Sequence, residues 1–79
     1  MKVEFSPSAD AAYIRLAPPH IELRVARTYS CDPVEAQAMI NLDFDVEGRL
    51  VGIEILGATN TLGAEVLADA VSPGAANPR

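Results

Sequence analysis

A single cysteine, Cys31, occurs in the 79 residues, so no disulfide can close within the chain. That fits a reducing compartment. Cys31 also lacks a CxxC partner and an obvious activating base, so it reads as a structural or idle thiol rather than a nucleophile. The only histidine, His20, follows Pro18-Pro19 with no second ligand nearby. Metal sites need three or four ligands, so His20 reads as a surface-loop residue. No serine elbow, glycine-rich phosphate loop or zinc spacing is present. No apolar run approaches the roughly 18 residues of a membrane helix. The opening Met1–Phe5 has no apolar core of a signal peptide. The expectation is a cytoplasmic protein with no membrane attachment and no cofactor. Basic residues are scarce, 6 against 11 acids, for a net charge of -5. An acidic domain repels phosphate, so no nucleic-acid partner is expected, and a small basic protein partner is favoured. The charges are spread along the chain rather than gathered in blocks.

What is present is ordinary globular material: 49% apolar and 22% charged residues, enough for one domain. A chain this short buries only about 60% of the surface its unfolded form exposes. Its core must be thin, and a homo-oligomer that adds burial is the expectation.

The periodicity is mostly that of strands. Met1 to Phe5 alternates, with Val3 and Phe5 on one side. Ser6-Pro7-Ser8-Ala9-Asp10 is a turn cluster, in which proline sets φ and the polar side chains bond nearby backbone. Ala12, Ile14 and Leu16 then face one way, Tyr13 and Arg15 the other, which predicts a hairpin. After Pro18-Pro19, Ile21 to Tyr29 predicts a third strand, with Ile21, Leu23 and Val25 on one face and Glu22, Arg24, Ala26 and Thr28 on the other. Asp32-Pro33-Val34-Glu35 resembles one short helical turn. Ala38 to Phe44 and Arg49 to Leu56 alternate around Asp45-Val46-Glu47-Gly48 and predict the clearest hairpin. Asn60 reads as an N-cap for a helix over Thr61 to Val71, with Leu62, Val66 and Ala70 in its apolar stripe.

The predicted fold class is therefore α+β: a four- to five-stranded antiparallel β-meander with one C-terminal α-helix packed on one face. Residues 1–71 form the domain, and 72–79 a flexible C-terminal tail. The opposite sheet face carries Tyr13, Arg15, Glu22, Arg24, Asn41, Asp43 and Glu54.

Three stretches together resemble a known family. They are Phe5 to Leu16, with its Asp10-Ala11-x-Tyr13-Ile14-Arg15-Leu16 core; Val25-Ala26-Arg27-Thr28; and Asp43 to Leu56, with Gly48-Arg49-Leu50-Val51-Gly52-Ile53-Glu54-Ile55-Leu56. The pattern looks like the small bacterial proteins of domain-of-unknown-function family 2283, over roughly residues 1 to 70. The resemblance implies a compact β-meander with a helix and carries no catalytic residues. Similar small proteins often partner small toxin-like proteins, which implies an antitoxin-like role by analogy. Cys31 to Ala38 is longer than the family's usual turn, and Pro73 to Arg79 matches nothing.

Two constellations are candidates for chemistry. Asp43-x-Asp45-x-Glu47-Gly48, with Glu54 beyond, approaches a calcium-loop pattern. Its flanks read as strands, however, and an acidic hairpin turn produces the same string. The other is a candidate interaction face of Tyr13, Arg15, Arg24, Asp43 and Glu54, whose plainer reading is cross-strand pairing on a wetted surface. The expectation is a non-catalytic protein-interaction module, not an enzyme. The alternative is a small-ligand-binding or enzymatic domain using that polar face, which requires a concave pocket with perturbed carboxylates.

Overall fold

The computed structural model describes residues 2–18, 20–31 and 38–72. Two hairpins carry the sheet. Lys2–Ser6 (β1) pairs antiparallel with Ala11–Arg15 (β2), placing Val3 against Ile14, Phe5 against Ala12, and Glu4 against Tyr13. Asp10 closes the turn between them, its N–H donating to the Pro7 carbonyl at 3.2 Å, and takes a φ of 49°. Aspartate is among the few side chains that enter this left-handed region readily.

Arg27–Cys31 (β3) pairs with Met39–Phe44 (β4), which pairs in turn with Leu50–Leu56 (β5). The β4–β5 turn is the acidic one foreseen. Gly48 adopts a φ of 81° and donates its N–H to the Asp45 carbonyl at 3.0 Å. Asp45 Oδ1 accepts the backbone N–H groups of Glu47 and Arg49, both at 2.9 Å. A short acid bonding its own downstream backbone is what makes aspartate a turn-former here.

The fold class is α+β, with five antiparallel strands. The strand order departs from a simple meander: it is β1-β2-β5-β4-β3, so β5 takes the place beside β2 that a meander gives β3. Strand β5 carries the most continuous apolar face, and at the centre Ile53 and Ile55 meet partners on both sides: Ile14 and Ala12 on β2, Leu42 and Ile40 on β4. At this central place Ile55 is only 4% exposed.

Ile21 to Ala26 does not begin the third strand, which starts at Arg27. These residues instead belong to a crossover that carries the chain from β2 past the ends of β5 and β4. Leu16 and Ala17 donate N–H groups to the Val51 carbonyl at 3.0 and 3.4 Å, and Ala26 donates to the Phe44 carbonyl at 2.8 Å. The Leu16 bond continues the β2–β5 ladder one residue beyond Arg15↔Gly52, while on the other side of β5 the register with β4 shifts from Asp43↔Gly52 to Phe44↔Leu50.

The helical segment is likewise two short helices rather than one, Ala58–Thr61 (α1) and Ala64–Ala68 (α2), separated by extended Leu62 and Gly63. Val71 is not helical. It forms a parallel bridge beside Glu4, accepting from Phe5 N–H at 2.8 Å and donating to the Val3 carbonyl at 2.9 Å. Its backbone serves the edge of β1, so the helix cannot run through it. Ala58, Ala12 and Ile55 form the buried centre, ringed by Phe5, Ile14, Ile40, Ile53, Leu62 and Leu67. Asn60 lies inside α1, not at its cap. Capping comes from 49 residues away: Asp10 Oδ1 and Oδ2 accept the N–H and Oγ1–H of Thr59 at 2.9 and 3.0 Å. The Asp10 carbonyl accepts the N–H groups of Gly57 and Ala58, both at 2.9 Å. The turn expected at Asp32–Glu35 and the tail beyond Ser72 lie outside the described residues.

Asp10 thus ties the first hairpin to α1. Asp10→Ala is expected to lower stability by about 1–2 kcal/mol, as loss of a helix cap does. Urea unfolding checks this, and an unchanged midpoint would refute the cap.

Candidate functional site

The side of the sheet away from the helices is polar because the strands alternate. One row across it runs Glu4, Tyr13, Glu54, Asn41, Ser30, and the next runs Lys2, Arg15, Gly52, Asp43, Thr28. Of the five candidate residues, the structure brings Tyr13, Asp43 and Glu54 together. Tyr13 Oη donates to Asp43 Oδ2 at 2.9 Å, and Thr28 Oγ1 donates to Asp43 Oδ1 at 2.7 Å. Asn41 Nδ2 donates to Glu54 Oε1 at 2.9 Å, and Ser30 Oγ donates to Asn41 Oδ1 at 2.9 Å.

Tyr13 and Asp43 stand on strands separated by β5, and Gly52 lets them meet. The tyrosine ring lies across Gly52, where a Cβ would come within 1.8 Å of Tyr13 Oη. The spacing between second-neighbour strands, roughly 9–10 Å, suits a tyrosine reaching over a bare glycine.

Arg15 and Arg24 do not join this group. Arg15 turns to the crossover, donating from Nη2 to the Pro18 carbonyl at 3.2 Å and to the Ile21 carbonyl. Arg24 lies within the crossover, paired with Glu22 at 2.8 Å, both side chains exposed. Among the described residues the other ion pairs are Arg49 with Asp45 and with Glu47, so neither Asp43 nor Glu54 is neutralised by a direct cation contact.

The Tyr13 hydroxyl is held protonated well above its ordinary range. Burial is the largest cause, followed by the hydrogen bond to Asp43 and the charge of that carboxylate; Arg15 opposes the shift. A phenol so placed is a fixed donor, poorly suited to give up its proton at neutral pH. Asp45 is lowered from the usual carboxylate range, chiefly by the backbone N–H of Arg49. Its oxygens are spent on the turn and Asp43's on Tyr13 and Thr28, so the calcium-like string is a hairpin. Among the described residues no group of three His, Cys, Asp or Glu side chains is placed to hold a metal ion.

A cavity of about 610 Å³ lies elsewhere. It sits between the crossover and the β4–β5 turn, with Leu16, Ile21, Leu23, Val25, Leu50 and Val51 in its wall. Tyr13, Asp43 and Glu54 do not line it, and Arg24 does. Sequence reasoning missed it because Ile21, Leu23 and Val25 alternate as a strand would. The one available signal was Pro18-Pro19, which interrupts pairing ahead of them. His20 and Cys31 are both exposed. No helix among the described residues is long and apolar enough to cross a membrane.

A family model described as a protein of unknown function, DUF2283, matches residues 2–58, from the start of β1 to the first residue of α1. The chain belongs to this family. No curated protein and no solved structure matches it.

Two outcomes test the polar face. Gly52→Ala forces Tyr13 off its site and is expected to cost about 1–3 kcal/mol, as overpacking does. Adding Tyr13→Ala should abolish that increment in a double-mutant cycle. Independently, an unfolded tyrosine ionises near 10.0, whereas folded Tyr13 holds its proton higher. Its contribution is complete below about pH 10 and is lost as pH rises towards the folded value. Melting temperature should fall above that pH in the parent, with a shallower fall in Tyr13→Phe. Matching profiles would exclude the mechanism.

Proposed function

We propose that this member of the family is a non-catalytic protein-interaction module that self-associates. One observation carries the reading: the fully buried core is very small, while nine large apolar side chains among the described residues are exposed. Only Ala12, Ile55 and Ala58 are fully buried apolar residues among those described, whereas Leu16, Ile21, Val25, Tyr29 and Leu50 are exposed, and Val46 is 81% exposed. A small domain with so thin a core gains from burial against another surface. The polar face supports the non-catalytic half of the reading. Tyr13 and Asp43 are engaged with each other, and Arg15 with backbone carbonyls, which commits these three side chains to holding the sheet. The net charge of -5 favours a basic protein as an additional partner, in keeping with an antitoxin-like role.

A second reading, small-ligand binding, now rests on the 610 Å³ cavity rather than on the polar face. Sedimentation velocity over a concentration series separates the two. Self-association predicts a species heavier than 8.4 kDa that grows with concentration. A monomer throughout, stabilised against heat by small apolar compounds, would favour the ligand reading and sink the first.

A further inference from the structure

The two edges of the sheet are finished differently. On β1 the outward backbone groups of Val3 and Phe5 are bonded to Val71, and the strand carries Lys2 and Glu4. Charged residues and covering chain are the usual means of keeping an edge from pairing. On β3 all five residues are exposed, and among the described residues only β4 pairs with it. It carries no proline, lysine or acid, and Arg27 is its sole charge. Thr28 and Ser30 look to the polar side, where they bond Asp43 and Asn41. Tyr29 looks to the other side, 54% exposed and edge-on to Phe44 at 5.6 Å. Next to it a hollow of about 210 Å³ is bounded by Arg27, Tyr29, Phe44 and Gly48.

Resting on the self-association reading, we propose that β3 pairs antiparallel with β3 of a second copy, joining the two sheets across a two-fold axis at Tyr29. Full overlap of the strand with itself sets the register. Tyr29 meets its own copy, Thr28 falls opposite Ser30 of the second copy, and Arg27 opposite Cys31. Charge and shape both favour a second copy as the occupant. The two Arg27 side chains are held about 13 Å apart along the strand, so the only charges on the edge do not oppose each other. Two molecules of net charge -5 then meet along an acid-free strand. Hydroxyl faces hydroxyl on the polar side, and the paired tyrosines lie beside the hollow on the other. An isologous contact of this kind closes at two copies. The Val71 bridge makes the closure secure, because the opposite edge is not free to add a third.

Light scattering on size-exclusion fractions, with circular dichroism to confirm folding, tests the proposal. The parent chain should run as a dimer and Tyr29→Lys, which sets like charges together on the axis, as a folded monomer. Mild oxidation should cross-link Tyr29→Cys in a Cys31→Ser background but not the parent, whose two Cys31 residues are held about 13 Å apart along the strand. The cross-link decides the matter should Tyr29→Lys fail to fold. Val71→Pro, which removes the N–H given to Val3, should produce assemblies larger than two. A dimer that survives Tyr29→Lys, or that gives no cross-link at position 29, overturns the β3 pairing and leaves self-association standing. A parent monomer overturns both. Val71→Pro remaining dimeric removes the role given to the latch.

Discussion

Strand β5 hydrogen-bonds on both sides, to β2 and to β4, and the rest of the molecule is arranged around that double pairing. With β5 beside β2, the third strand cannot follow the second in space. The chain from Leu16 to Ala26 must travel past two strand ends to reach β3. Apolar residues that a meander would bury are stretched along this crossover, which is why the cavity forms there. The two hairpins meet where β2 pairs with β5, so the apolar side chains of both gather around Ile53 and Ile55.

The same strand organises the opposite face. A glycine at position 52, flanked by strands whose side chains would otherwise stand apart, lets Tyr13 reach Asp43 across it. The bond locks the outer strands of the seam in register and leaves a carboxylate whose two oxygens are occupied. The residues that look most like chemistry in the sequence are thus the ones most committed to holding the sheet together. Arg15 follows the same logic at the end of β2, fastening the start of the crossover through the Pro18 and Ile21 carbonyls.

Much of this was legible. The β4–β5 hairpin, with its acidic turn, follows from strict alternation and from Gly48; the first hairpin follows from the cluster ending at Asp10. The association of Tyr13, Asp43 and Glu54 was readable from side-chain parity alone, since each falls on the polar phase of its strand. Arg24 leaves the polar face because strand parity does not hold in the crossover, which is not part of any described strand. Asp10 as the cap of α1 had no local signal, because its partner, Thr59, is distant in the chain.

Local chemistry in the sequence by itself determined the hairpins, the polar and apolar sides of the sheet, the acidic turn and the α+β class, because each depends on neighbours within a few residues. Tertiary structure alone decided the strand order, the splitting of the C-terminal helix, the crossover cavity and the unequal edges. Those depend on which distant strand wins the place beside β2, and on Val71 spending its backbone on β1. Such competitions are settled by total burial and hydrogen bonding across the sheet, which no short window of residues contains.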